Sequence, residues 1–189
     1  MCIRDSTITK INRIKRKDIN WISSHPIAGS EVSGPLNGNE NLFVNKWSVI
    51  IKQKKSQTKE MKKILKFWKL LGSKTVTMDA DQHDKIFAIT SHLPHLIAYN
   101  LILTATNFKI SNKDNVLRFS AGGLRDFSRI AASNEIMWRD IFFHNKSNML
   151  KVIDLFIKNL KIFKQDIKLN RKNLETKLKN LKKVRQKIV

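Results

Sequence analysis

The chain has 189 residues, 41% hydrophobic and 28% charged, a composition that is globular rather than disordered. A single cysteine, Cys2, excludes an internal disulfide bond. No signal peptide is visible, and the longest apolar run, from Leu96 to Phe108, is too short to span a bilayer. We therefore expect a soluble, cytoplasmic protein. The net charge of +22 would attract nucleic acid, but abundant lysine, isoleucine and asparagine suggest compositional bias, and few aromatic residues interleave with the basic ones.

The N-terminal part is a short basic segment followed by a compact, nearly uncharged turn. Residues 1–22 are basic and end in a strand-like run from Ile19 to Ile22. The stretch "SHPIAGSEVSG" follows, within a Gly/Pro-bearing turn region over residues 23–41, and it holds a lone His25 and a lone Glu31. A histidine before a proline is more often a turn residue than a functional one, so this motif alone does not decide its role.

The next segment has an α/β pattern. "WSVIIK" (47–52) is β-branched and aromatic, which predicts a strand, and "KTVTM" (74–78) predicts a second. Between them, residues 56–72 carry apolar side chains at three- and four-residue spacing and end at Gly72, as an amphipathic helix does. A strand, a helix and a strand in this order indicate an α/β unit.

The pattern becomes helical after Asp79. Asp79 or Asp81 can cap a helix from about residue 82 to residue 108, apolar nearly all round and therefore buried on most sides. Pro94 should kink this helix. From Leu124 onward there is no glycine or proline, and a heptad-like seam predicts a long helical region that packs on its own domain or on a sister subunit. The seam consists of Ile153, Leu160, Ile167, Leu174, Leu181 and Ile188.

Polar groups that a structural account does not need are concentrated in four places. They are His25 and Glu31 in the opening turn, His92 and His95 in "SHLPH", Gly123 and Arg129 in "GGLRDFSRIAAS" (122–133), and Trp138. The His92–His95 spacing resembles a metal site, but no HExxH motif or cysteine cluster supports one, so no metal is expected. Taken singly, Arg129 could be a surface residue and Trp138 a core residue.

Together these residues indicate a narrower chemistry. A neutral histidine can accept a proton or a hydrogen bond from a hydroxyl group, and an arginine binds carboxylates through paired donors. Histidines and an arginine on apolar helices that face a glycine-bearing turn would suit a small dicarboxylate with a hydroxyl group. The alternative is a basic helical module that binds nucleic acid or dimerises.

Three ordered motifs carry a family resemblance. "HPIAGSEVSG", "DQHDKIFAITSHLPHLIAYNL" and "GGLRDFSRIAASNEIMWRDIF" closely resemble the prephenate/arogenate dehydrogenase family of tyrosine biosynthesis, over about residues 20–145. The resemblance implies the α/β end of a Rossmann-type NAD(P)-binding domain (1–78), followed by an all-α dimerisation and substrate domain (79–189). It also implies a homodimer and the oxidative decarboxylation of prephenate or arogenate with NAD or NADP.

The resemblance further implies residue roles. His25 would accept the hydrogen bond from the substrate hydroxyl, and Arg129 would bind a carboxylate. His95 would line the substrate pocket with His92 as its companion, Trp138 and Gly123 would form pocket walls, and Glu31 would order the site.

One departure from the family pattern is large. The dinucleotide-binding fingerprint G-x-G-x-x-G does not occur among the six glycines. We therefore expect this chain to be the end of the NAD(P) domain plus the helical domain, inactive as a dehydrogenase by itself. Ser6 could correspond to a substrate-contacting serine of the family, although its surroundings match poorly. The sequence leaves open prephenate against arogenate, NAD against NADP, and feedback inhibition by tyrosine.

Overall fold

A computed structural model of the chain describes residues 5–14, 18–29, 36, 38–52, 58–108 and 116–188. The chain forms two compact units, Met1–Met149 and Leu150–Val189. The domain boundary near residue 79 falls inside the first unit and stays a prediction. Glu31 lies outside the described residues, and Ser6 lies in the first helix.

The first unit begins with a small mixed sheet. Strand β1 pairs antiparallel with β2, and β2 pairs parallel with β3. The helix α2 connects the two parallel strands, as a βαβ arrangement requires. The elements are α1 (Asp5–Ile14), β1 (Ser24–Pro26), β2 (Trp47–Ile51), α2 (Thr58–Leu70) and β3 (Lys74–Met78).

The strands and helix of the βαβ segment confirm the sequence prediction. β2 is buried from Ser48 onward because its β-branched residues pack into the core on both faces. Helix α2 is followed by Gly72, which adopts a φ of 78° that favours glycine.

The predicted strand at Ile19–Ile22 was wrong. The structure instead forms β1 from Ser24–Pro26, with His25 opposite Val49 of β2. The partner strand stabilises this element, since Ile51 donates to the carbonyl of Ser23 at 2.8 Å and Ile27 donates to the carbonyl of Trp47 at 2.7 Å. His25 therefore lies on a strand and not in a turn.

A long helical stretch follows in three parts: α3 (Ala80–Phe87), a π-helical turn (Ala88–His92) and α4 (Leu93–Asn107). Asp79 caps α3, because its side chain accepts a hydrogen bond from the backbone of Gln82 at 2.7 Å. The predicted cap and helix are thus confirmed, but the expected burial on most sides was wrong, since two of the 15 residues of α4 are buried. Pro94 stands at the start of α4, directly after the π-helical turn that interrupts the regular helix.

This stretch is longer than the apolar run considered from the sequence. Within the described residues, Ala80–Asn107 is the one helix that is long and apolar enough, by length and composition, to cross a membrane. That test is weak evidence, because the core helix of a soluble protein also passes it. The helix also carries the buried polar side chains of His83, Asp84 and His92.

The described residues from 116 to 188 are helical but segmented. A short helix and a 3-10 turn precede two longer helices, and a last helix follows a break at residues 169–172. The predicted long helical region is therefore confirmed but consists of several helices, and Asn170 adopts a positive φ of 48° at the last break. The elements are α5 (Gly122–Ser128), the 3-10 turn Arg129–Ala132, α6 (Glu135–His144), α7 (Lys146–Lys168) and α8 (Asn173–Arg185).

Two clusters form the core of the first unit. In one, Val49 and Ile51 of β2 pack with Phe87 of α3, and Ile8 of α1 lies against them. In the other, Trp138 and Ile141 of α6 pack with Tyr99 of α4. The buried side chain of His83 lies against the first cluster and that of His92 against the second, so both are in surroundings poor in water.

Candidate active site

A chain of three polar side chains joins β1 to α3. His25 Nδ1 lies 2.8 Å from His83 Nε2, and His83 Nδ1 lies 2.8 Å from Asp84 Oδ1. His83 is completely buried and Asp84 is 4% exposed, whereas His25 is half-buried. The geometry therefore links a partly accessible imidazole, through a buried one, to a buried carboxylate.

Phe87 holds the two imidazole rings of this chain. The Phe87 ring centroid is 4.4 Å from that of His83 and 5.0 Å from that of His25. Since His83 and Phe87 are four residues apart on α3, they lie on the same helix face, which is the face turned toward the sheet. The rings are restrained by packing as well as by hydrogen bonds.

Asn145 connects these three hydrogen-bonded side chains to His92. Its Nδ2 donates to the backbone carbonyl of Asp84 at 2.9 Å and lies 3.2 Å from His92 Nδ1, while its Oδ1 accepts from Asn148 at 2.8 Å. The amide is therefore oriented by three partners. Because an amide nitrogen only donates, His92 Nδ1 accepts the hydrogen bond and the ring proton resides on Nε2.

His95 and Trp138 form a stacked pair. Their ring centroids are 3.7 Å apart with an interplanar angle of 22°, and the ring of His92 meets the same tryptophan edge-on at 6.2 Å. His95 Nδ1 donates to the carbonyl of Ser91 at 2.9 Å, which leaves Nε2 of the neutral ring as an acceptor. Three of the residues singled out from the sequence therefore lie together.

Burial keeps both of these histidines neutral near pH 7. Desolvation lowers the pKa of His92 to about 4, and the nearby His83 and His95 act in the same direction, against the attraction of Asp84. Burial also lowers the pKa of His95, partly opposed by its hydrogen bond to Ser91. His92 Nε2 and Trp138 Nε1 are buried nitrogens without a protein partner in the described part of the chain.

Arg129 and Gly123 lie on another part of the first unit. Arg129 is exposed and begins the 3-10 turn that packs against α4, the helix that carries His95. Tyr99 of α4 donates to the carbonyl of Ser133 at 3.2 Å and fixes the end of this turn. Gly123 is exposed, and a Cβ added there would meet nothing within 4 Å. The roles of both residues stay predictions.

The sequence interpretation missed His83, Asp84 and Asn145. The only available signal was that His83 and Asp84 belong to the quoted motif "DQHDKIF". Their position early in α3, with Asp81 and Lys85 on either side, resembles an ordinary charged helix start. No group of three or more His, Cys, Asp or Glu side chains that could hold a metal ion is found within the described ranges.

The fold and the site together define a class of protein. An α/β segment is followed by a helical region, and His25 of the first segment lies beside His83 at the start of the second. The model of the family "Prephenate dehydrogenase, nucleotide-binding domain" matches residues 2–77, and that of "Prephenate dehydrogenase, dimerization domain" matches residues 79–183. The chain belongs to the prephenate dehydrogenase family, which confirms both the resemblance and the predicted fold class.

Individual relatives agree with this assignment. The chain is 35% identical over 164 residues to a cyclohexadienyl dehydrogenase of Zymomonas mobilis, covering 84% of this chain and 56% of that protein. It is 34% identical over 140 residues to a prephenate dehydrogenase of Bacillus subtilis, covering 74% and 38%. These relatives favour an enzyme over a basic nucleic-acid-binding module.

A solved structure covers the whole chain. Prephenate dehydrogenase from Aquifex aeolicus, in complex with hydroxyphenyl propionate and NAD+, superposes with a TM-score of 0.91 at 32% identity. The match covers 100% of this chain and 65% of that one. The chain thus spans about two fifths to two thirds of the length of the relatives it matches.

Proposed function

We propose that this chain forms the substrate-binding and acid–base part of a prephenate dehydrogenase-type oxidoreductase. The substrate would be prephenate or arogenate, and the reaction an NAD(P)-dependent oxidative decarboxylation in a soluble, cytoplasmic enzyme. Residues 1–78 would be the end of the NAD(P) domain and residues 79–189 the helical dimerisation domain. The main support is the hydrogen-bonded, partly accessible His25 in a chain of this family.

The chemistry requires a base at one end of the substrate ring. A hydride leaves the carbon that bears the hydroxyl group, and His25 takes the hydroxyl proton as that carbon–hydrogen bond breaks. The ring carboxylate departs as carbon dioxide, its bonding electrons complete the aromatic ring, and the proton returns to the phenol oxygen. One substrate and one oxidised nicotinamide then give one phenol, one carbon dioxide and one reduced nicotinamide.

The other end of the substrate requires groups that bind carboxylates. Arg129 offers paired donors, and its turn packs against the helix of His95. The neutral His95, stacked on Trp138, offers a flat aromatic wall beside these donors. Glu31 and Gly123 would complete the surroundings as the family resemblance implies, with His92 behind His95.

The nicotinamide cofactor supplies the hydride acceptor when it is bound. The chain has no G-x-G-x-x-G turn to cradle a pyrophosphate, so we assign none of its residues to the cofactor. A partner copy would cover apolar side chains of α7 and α8 that are half exposed or more, including Leu155, Leu160, Ile167 and Leu181. Sedimentation of the purified chain as a monomer at micromolar concentration would contradict this homodimer.

Binding of 4-hydroxyphenylpyruvate, the product expected from prephenate, tests the site in this chain. Arg129→Gln should weaken the affinity at least about tenfold, because a charge-assisted hydrogen bond to a carboxylate is lost. The matched control is Arg118→Gln, since Arg118 is also exposed but lies over the ring of Phe119 at 4.7 Å. Calorimetric titration measures both.

Two results of this titration would contradict the proposal. One is that the unaltered chain does not bind the compound at millimolar concentration. The other is that Arg129→Gln and Arg118→Gln weaken binding equally, because a general loss of positive charge would then explain the effect.

A further inference from the structure

The direction of the hydrogen bonds behind His25 decides what His25 can do. A neutral imidazole carries its proton on one nitrogen and a lone pair on the other, and the partner of the first nitrogen selects the tautomer. To accept a hydrogen bond from a substrate hydroxyl through Nε2, His25 must carry its proton on Nδ1. Its Nδ1 faces His83 Nε2 at 2.8 Å.

We propose that Asp84 and His83 are positioning residues that set the tautomer of His25. The Asp84 carboxylate has acceptors only, so the 2.8 Å contact requires the proton of His83 to reside on Nδ1. The remaining nitrogen of a neutral His83, Nε2, then carries a lone pair and accepts from His25 Nδ1. His25 Nε2 is left as the basic nitrogen of the chain.

The surroundings hold both positioning residues in this arrangement. His83 is fully buried and Asp84 nearly so, and Phe87 packs against the His83 ring at 4.4 Å. Asn145 donates to the backbone carbonyl of Asp84 from a different helical segment. A carboxylate–histidine pair that is fixed in this way can orient a third group, as the buried aspartate of a catalytic triad orients its histidine.

The physical alternative is that the hydrogen bond between His83 and His25 runs in the opposite direction. If His83 carried a proton on both nitrogens, it would donate to His25 Nδ1, and the proton of a neutral His25 would reside on Nε2. His25 would then be a donor toward the substrate. The choice between these directions rests on the proposed function, in which His25 accepts, and the two directions differ in a quantity that can be measured without substrate.

Nitrogen-15 NMR of the imidazole rings measures that quantity. The chain has five histidines, so two-bond proton–nitrogen correlations can be assigned by substitution. At pH 8, above the ordinary histidine pKa of about 6.5, we expect His25 to favour the Nδ1–H tautomer at least about tenfold. A dominant Nε2–H form in the unaltered chain would overturn the inference, and this measurement needs no variant to fold.

Asp84→Asn tests whether the carboxylate is the source of the preference. An asparagine amide can donate to His83 Nδ1, which moves the His83 proton to Nε2 and the His25 proton to its own Nε2. We expect the His25 preference to be lost or reversed. Asp81→Asn is the control, because Asp81 is on the same helix but exposed and paired with Lys85; it should leave the preference unchanged.

The same samples separate this inference from the proposed function. If 4-hydroxyphenylpyruvate binds and His25 keeps its Nδ1 proton in Asp84→Asn, the positioning role is overturned and the enzyme proposal stands. If the compound does not bind but the tautomer responds to Asp84→Asn as expected, the hydrogen-bond direction is supported and the enzyme proposal fails.

Discussion

At the scale of single residues, the site is a set of histidines whose hydrogen-bond partners differ. His25 contacts His83, His92 contacts Asn145, and His95 contacts a backbone carbonyl. Each partner contacts Nδ1, and it leaves Nε2 as a donor in His92 but as an acceptor in His95. Under the proposed function, the same residue type would serve as a base in His25 and as a pocket wall in His95, because the surroundings of the two rings differ.

His92 makes the stability of the fold depend on pH. Its pKa is lowered to about 4 by burial, below the ordinary value of 6.5, so the unfolded chain binds a proton more readily than the folded one between these values. The stabilisation from a neutral His92 is complete above pH 6.5 and is lost as the pH falls toward 4. Between pH 7 and pH 5 this loss is about 2 kcal/mol.

His92→Gln should therefore reduce the pH dependence of unfolding. We expect the fall in unfolding free energy from pH 7 to pH 5 to be about 2 kcal/mol smaller in the variant than in the unaltered chain. Urea denaturation at the two pH values measures it. His144→Gln is the control, since His144 is exposed; equal pH dependence in all three proteins would rule out a buried, neutral His92.

At the scale of elements, the helices and strands that could be predicted are those that a local sequence pattern indicates. β2, α2 and β3 follow from β-branched runs and from an amphipathic repeat that ends at Gly72. β1 could not be predicted, because Ser24, His25 and Pro26 have little strand propensity and pair only because β2 is beside them. The interruption by the π-helical turn at Ala88–His92 had one local signal, Pro94, which follows it near the start of α4.

The site was predicted only in part for the same reason. His25, His95 and Trp138 could be chosen because each stands out against its neighbours. His83 could not, because its contact with His25 joins residues 58 positions apart. An unaligned sequence does not reveal such a pairing, whereas the fold determines it through the packing of α3 on the sheet.

Substitution by alanine should have opposite effects on stability at Gly72 and at Gly123. Gly72→Ala should destabilise the fold by about 1–2 kcal/mol, because φ is 78° and the new Cβ would lie 3.2 Å from Val44. Gly123→Ala should stabilise it by about 0.5–1 kcal/mol, since the position is helical and open. Thermal or urea unfolding of both variants checks this, and a change of the same sign in both would contradict the assigned backbone conformations.

At the scale of the whole molecule, the proposed hydride-transfer chemistry is assigned to a chain that spans only part of its relatives' length. The net charge of +22 has no specific role in the proposed function, in which Arg129 would bind an anionic substrate locally. The α/β segment brings His25 to α3, while the helical region carries His95 and Trp138. The enzyme proposal requires both segments to act on one bound molecule.

Measuring turnover tests directly whether the two segments act on one bound substrate. This chain, fused behind the part of the Zymomonas mobilis cyclohexadienyl dehydrogenase that precedes the matched region, would be given prephenate and NAD while NADH absorbance is followed. We expect NADH and carbon dioxide in equal amounts, and a kcat lower by about 10²- to 10⁴-fold in His25→Asn but unchanged in His144→Asn, which alters an exposed histidine. Undiminished turnover by His25→Asn, or no turnover by a folded fusion that binds both NAD and 4-hydroxyphenylpyruvate, would contradict the account.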